Sequence, residues 1–332
     1  MGRAEDGAGA GMTIDLVIAA ILTVVNISTP ILLAATGELV VEKSGVLNLG
    51  VEGMMLCGAI AGLAISFICS DPAFADSLPW LAAAGPWLGV GAAALAGALA
   101  ALLFGFMVLT LGANQVASGL ALVIFGSGVS SLIGAAYVGV AIQPFDQLFP
   151  DALAQNRFGK LIFSYSPLVY FAFIMVAVVG WFLSRTRAGL VLRAVGENDY
   201  SAHSIGYSVI GVRYLAVLFG GAMAGIGGGY FSMVITPMWA EGMTAGRGWI
   251  ALALVVFSGW RARRLLGGAY FFGVFMTLEL YAKASGFSFL PSQFWASMPY
   301  LMAIIVLAAM SARSRGGSQA PACLGKSFIP DA

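Results

Sequence analysis

Charge is what this sequence has least of. Acidic and basic residues make up 9% of its 332 residues, against about 25% in ordinary soluble domains. A soluble fold of this size needs far more polar surface than that. Histidine occurs once, at His203, which excludes metal centres of the HExxH kind. The three cysteines, Cys57, Cys69 and Cys323, form no disulfide framework and are expected to be inert thiols. No GxxxxGK[ST] segment occurs, so the chain has no phosphate-cradling loop of its own. No GxSxG elbow occurs either. The acids fall mainly in presumed loops, and catalysis by this chain alone is not expected. A net charge of +1 indicates no polyanion partner, and nucleic acid is excluded on that ground.

What fills the sequence is apolar. Hydrophobic residues make up 60% of the chain. Residues 88–111 carry no charge over more than the ~20 residues that cross a bilayer core. Runs at 116–136, 165–184, 214–235 and 295–312 behave alike, and none shows the ~10-residue alternation of a membrane barrel. The expected fold is an all-α polytopic membrane protein of eight to ten transmembrane helices. Spans are expected near 14–36, 51–69, 88–111, 116–136, 165–184, 214–235, 248–260, 265–282 and 295–312, with short or re-entrant elements at 38–50 and 79–87. This divides the chain into a leader (1–13), a transmembrane domain (14–312) and a tail (313–332). The leader lacks a basic n-region and a small-residue cleavage site, so the first run reads as a retained span.

Basic residues give the bundle a direction. Arg185, Arg187, Arg193 and Arg213 lie in one loop, Arg261, Arg263 and Arg264 in a short link, and Arg313, Arg315 and Lys326 in the tail. The positive-inside rule puts all three in the cytoplasm, and 137–164 outside. Trp80, Trp87, Trp239, Trp249, Trp260 and Trp295 sit near span ends, as interfacial anchors do. Small residues at 89–98 and 220–231 suit close helix packing, and Gly227–Gly229 is dense enough for a bend.

Three polar segments interrupt this pattern. KSGVLNLGVEGMM (43–55) brings Asn48 and Glu52 between apolar runs. A carboxylate at mid-membrane costs about 3 kcal/mol, so Glu52 should face a wet cavity, a cation or a helix terminus. ANQVASG (113–119) places Asn114 and Gln115 at the start of a span, where amides either cap the helix or meet a ligand. In the loop 184–214, Gly196-Glu197-Asn198-Asp199 reads as a turn into a short helix over 199–206, rimmed by arginines and suited to docking another protein.

Together, GELVVEKSGVLNLGVEGMML, LGANQVASGLAL, GLVLRAVGENDYSAHSIGYSV and GRGWIALALVVFSGW resemble signature segments of ATP-binding-cassette (ABC) transporter permease subunits. The class includes branched-chain amino acid and simple-sugar importers, and EKSGVLNLGVEGMM is most similar to nucleoside-uptake permeases. The resemblance covers most of 36–312. It implies half of a heterodimeric pore in a bacterial inner membrane, with the C-terminus cytoplasmic. The implied partners are a second homologous permease, a cytoplasmic ABC ATPase, an external substrate-binding lipoprotein and membrane lipids. ATP and Mg would bind the ATPase, with no cofactor or metal in this chain. By similarity, Arg193, Gly196, Glu197 and Asn198, with the helix carrying His203, would couple to the ATPase, and Asn48, Glu52, Asn114 and Gln115 would lie along the translocation path. Relatives often carry a small residue at the position of His203, so this chain brings a group to the element that can change charge near neutral pH. Simple sugars are the alternative cargo. A proton-coupled secondary transporter using Glu52 or Glu279 is the alternative mechanism.

Overall fold

The computed structural model describes residues 2–145, 147–284, 291–313 and 320–329. Lipid offers no hydrogen bonds, so apolar runs there must satisfy their own backbone, and the helix does this locally. The described residues form α1 (Gly2–Lys43), α2 (Val51–Cys69), α3 (Pro72–Ser77), α4 (Pro79–Ala83), α5 (Gly85–Gly105), α6 (Gln115–Gly134) and α7 (Arg157–Phe163). They continue with α8 (Pro167–Arg185), α9 (Arg187–Glu197), α10 (Asp199–Ser204), α11 (Val209–Tyr230), α12 (Arg247–Phe257), α13 (Ala262–Ala284) and α14 (Ser292–Arg313). Short π-helical turns, Phe106–Thr110 and Phe231–Ile235, extend α5 and α11. Prolines open α3, α4, α5 and α8, where a missing N–H costs nothing. Two isolated bridges, Val138 with Trp239 and Ala141 with Met238, join the long loops.

Seven helices among the described residues are long and apolar enough to cross a membrane, where eight to ten were expected. The difference lies in the last third. The apolar run 248–260 yields only α12, 11 residues long, which rises about 16 Å, half a bilayer core. Gly246 precedes it at φ 79°, and Gly259 and Trp260, both at positive φ, end it. The second is the run 295–312, which does form a helix, α14, 22 residues long, but only its stretch Gln293–Val306 counts as apolar helix among the described residues. At the N-terminal end, α1 runs unbroken to Lys43, so the expected irregular stretch 38–50 shrinks to 44–50.

The centre of the bundle is α11, packed on α1, α2 and α5. Glycine makes this possible. A Cβ at Gly58 would run into the Gly225 backbone, and one at Gly228 into the Met55 carbonyl. The dense glycines 227–229 therefore serve close packing, and α11 runs through them without a break. Trp80 and Trp87 are exposed as anchors are, but Trp239 is buried over Gly134, with its indole N–H 3.4 Å from Ser130 Oγ.

The two ends of the bundle differ in charge. At one, Arg157 pairs with Asp15 at 3.1 Å. At the other, Lys43, Arg185, Arg193 and Arg261–Arg264 surround a single cavity, and the segment 320–329 folds back beside it.

Candidate functional site

The acid that the sequence singles out is held by a helix terminus. Glu52 lies one residue into α2 and is 6% exposed. Its Oε1 accepts the Thr244 hydroxyl at 2.6 Å and the Gly246 N–H at 2.8 Å, and its Oε2 accepts the Gly248 N–H at 2.6 Å. The two amides belong to the N-terminal end of α12, where the first N–H groups have no partners within the helix, and Thr244 lies in the turn before it. The positive end of the helix dipole adds attraction for the carboxylate. The left-handed Gly246 turns its N–H toward the acid, and any Cβ on Gly248 would collide with Glu52. Arg247, between the two glycines, faces away from this contact. Its guanidinium lies 4.7 Å above the Phe231 ring and donates to the Met243 and Thr244 carbonyls. Of the three settings expected for Glu52, the structure supplies the helix terminus.

Asn48 and Gln115 organise the turn that leads to Glu52. Asn48 is fully buried, with its Oδ1 accepting the Gly50 N–H at 3.0 Å and its Nδ2 donating to Glu38 Oε2 at 3.2 Å. Gln115 Oε1 accepts the Leu47 N–H at 2.7 Å, and its Nε2 donates to the Lys326 carbonyl at 3.3 Å. Asn114 is exposed and caps α6 through the Ala117 N–H. One turn beyond Glu38, buried Glu42 accepts the Trp260 indole N–H. Glu279 pairs with Lys283 at 2.7 Å. The four residues expected along a path are thus brought to one region, three of them as buried ties and Asn114 as a cap.

The Arg-rich loop is more ordered than a turn and a helix. Gly196 and Glu197 end α9, and Asn198 alone forms the corner, capping α10 by accepting the Ser201 N–H at 2.9 Å. Gly196 sits against the Lys43 carbonyl, closer than any side chain allows. Arg193 is half-buried on the cavity wall. His203 is exposed, with its ring edge-on to Phe328 at 5.5 Å.

Arg213 with Asp199, and Cys323 and Gly325 in the tail, organise this end in ways that sequence reasoning passed over. Arg213 was read as a loop cation, but it lies inside α11 and is 1% exposed. Its guanidinium pairs with buried Asp199 at 3.1 Å and donates to the Ser44 carbonyl at 3.2 Å and the Lys326 carbonyl at 3.4 Å. It thereby joins α11, α10, the α1–α2 turn and the tail. Cys323, in the tail, donates its N–H to the Gly196 carbonyl at 2.9 Å, and Gly325 donates to the Gly45 carbonyl at 3.1 Å. An arginine next to an apolar run was the one available signal, and it is the same signal that topogenic loops give.

Comparisons with known proteins agree on one family. The family described as branched-chain amino acid transport system, permease component, matches residues 20–310. TsgC13 of Haloferax volcanii, an ABC transporter permease protein provisionally assigned to glucose, is 36% identical over 85% of this chain and 88% of its own. The guanosine ABC transporter permease protein NupQ of Bacillus subtilis is 31% identical over 91% of this chain and 93% of its own. The nucleoside ABC transporter permease protein NupC of Lactococcus lactis is 30% identical over 89% and 92%. No solved structure matches significantly.

Proposed function

Because the chain belongs to the permease-component family of branched-chain amino acid transport systems, we propose that it forms half of the membrane pore of an ATP-driven importer for a nucleoside. The observation that carries this reading is α10, a short helix held between two spans and fixed from beneath by Asp199, with Tyr200 exposed on it and Ile205 exposed just past its end. Such an element suits a partner that pushes on it, and the partner is a cytoplasmic ATPase that holds the nucleotide and Mg. A second permease completes the pore, and an external binding protein delivers cargo. Arg193, Glu197 and His203 border the contact, while Gly196 and Asn198 shape it.

ATP-driven closure of the ATPase pair moves α10, and Arg213 passes that motion to the α1–α2 turn. The pore alternates between outward and inward states, and cargo biases the cycle only by binding the two with different free energy. Asn48, Glu52, Asn114 and Gln115 border the moving region. A neutral, hydroxyl-rich solute suits a chain with so few fixed charges. Glucose is the second reading, favoured by the 36% identity to TsgC13. Proton coupling is not favoured, since Glu52 already accepts three hydrogen bonds and Glu279 is ion-paired.

Proteoliposomes holding the two permeases and the ATPase, tested with nucleosides and glucose, decide the matter. The proposal expects nucleoside uptake that requires ATP. Uptake by this chain alone, driven by a proton gradient, would refute it. Ile205→Asp, which alters an exposed side chain on the docking face, should abolish cargo-stimulated ATP hydrolysis while leaving the unfolding temperature unchanged.

A further inference from the structure

Six cations line one cavity, where the nearby acids are two, Glu42 and Glu197. Lys43, Arg185, Arg193, Arg261, Arg263 and Arg264 line a space of about 1060 Å³ between α1, α8, α9 and α13. Among the described residues none of the six forms an ion pair within 4.0 Å. Glu42 accepts the Trp260 indole N–H and Glu197 the Ala322 N–H, and both also act on Lys43 through space, which leaves cations in excess at the mouth.

The cavity does not stop at the charges. From Ser184 it follows one face of α8 through Trp181, Gly180, Ala177 and Val176 to Phe173. These residues recur at helical spacing and cover about 16 Å of axis, close to one leaflet of the ~30 Å hydrocarbon core. Phe173 lies at that end, stacked on Tyr270 at 6.1 Å. The groove is narrow at Gly180, where an added Cβ would come within 3.3 Å of Ala262, so a larger side chain there would block it.

We propose that this cavity is a binding site for one anionic phospholipid, with its phosphate among the six cations and an acyl chain along α8. Either half alone would fit other ligands. A free anion uses only the mouth, a neutral lipid only the groove, and an acidic partner chain has no use for an apolar trough one leaflet deep. A basic pocket that opens between membrane helices joins both requirements in one ligand. The site does not depend on what the pore carries.

The test reads the unfolding temperature of the full chain in neutral detergent against added phosphatidylglycerol, phosphatidylcholine, inorganic phosphate or hexaglutamate. Phosphatidylglycerol alone should give a saturable rise, weakened by salt. Arg261→Gln combined with Arg264→Gln should raise the half-saturating concentration about thirtyfold. Arg157→Gln with Lys160→Gln, at the opposite end, should leave it unchanged. Gly180→Leu, which fills the groove and keeps the cations, should abolish the rise. Equal responses to the two lipids overturn the site, as does an equal response to inorganic phosphate. A rise with hexaglutamate and none with phosphatidylglycerol overturns it in favour of an acidic partner chain. Should a variant fail to fold, quenching by brominated lipids in the unaltered chain, taken as the difference from Trp181→Phe, decides instead. Quenching no stronger with phosphatidylglycerol than with phosphatidylcholine overturns the proposal.

Discussion

Glu52 accepts three hydrogen bonds from the start of α12 and the turn before it, and each of those donors would be stranded without it. Leaving buried donors unpaired costs 1–3 kcal/mol apiece, so Glu52→Ala should lower stability by about 3 kcal/mol or more. Glu52→Gln keeps one carbonyl oxygen but turns an amide N–H toward a donor, and its loss should be intermediate. Thermal unfolding in detergent measures both. A variant that unfolds normally but transports nothing would show that the carboxylate serves cargo instead of packing. Arg213 poses the same question at the other end. Arg213→Ala leaves Asp199 buried without its cation, which typically costs about 3–5 kcal/mol. Arg213→Lys restores the charge but cannot reach Asp199, Ser44 and Lys326 at once, so it should recover only part of that.

Elements meet here through missing side chains. Gly228 packs its backbone on Met55, and the space for a Cβ is already taken. Gly228→Leu should therefore prevent recovery of monodisperse protein from membranes, whereas Gly128→Ala, with nothing within 4 Å of the added carbon, should have no effect. The corner between α9 and α10 depends on one side chain. Asn198→Ala removes the cap of α10 and should cost about 1 kcal/mol, read as faster hydrogen exchange over 199–204 and weaker coupling to ATP hydrolysis. Helix identity was legible at this scale because apolar runs and glycine spacing are local properties. The half-length of α12 was legible too, since Arg247 and Arg261 bound an apolar run well short of the ~20 residues of a span, and positive φ at Gly246, Gly259 and Trp260 marks the same two ends.

The whole molecule has one end rich in unpaired cations and one end closed by the Asp15–Arg157 pair. The positive-inside rule assigns the cationic end to the cytoplasm. Cysteines introduced at Phe158, which is 83% exposed, and at Arg263 test this in intact cells: the first should react with an impermeant thiol reagent and the second should not. The tail closes the cationic end by bonding to Gly196, Gly45, Gln115 and Arg213. A chain ending at residue 319 should show faster hydrogen exchange over 196–206, and unchanged exchange there would mean that the tail braces nothing.

Composition alone determined that this protein lives in a membrane as a helical bundle, since bilayer thickness and hydropathy act along the chain one segment at a time. It also marked Asn48, Glu52 and the 185–213 loop as sites where polar groups require a reason. The reason itself came only from the fold. Glu52 meets Gly248 across 196 residues and Arg213 meets Ser44 across 169. Such partners are chosen by how helices pack, and no local periodicity records them.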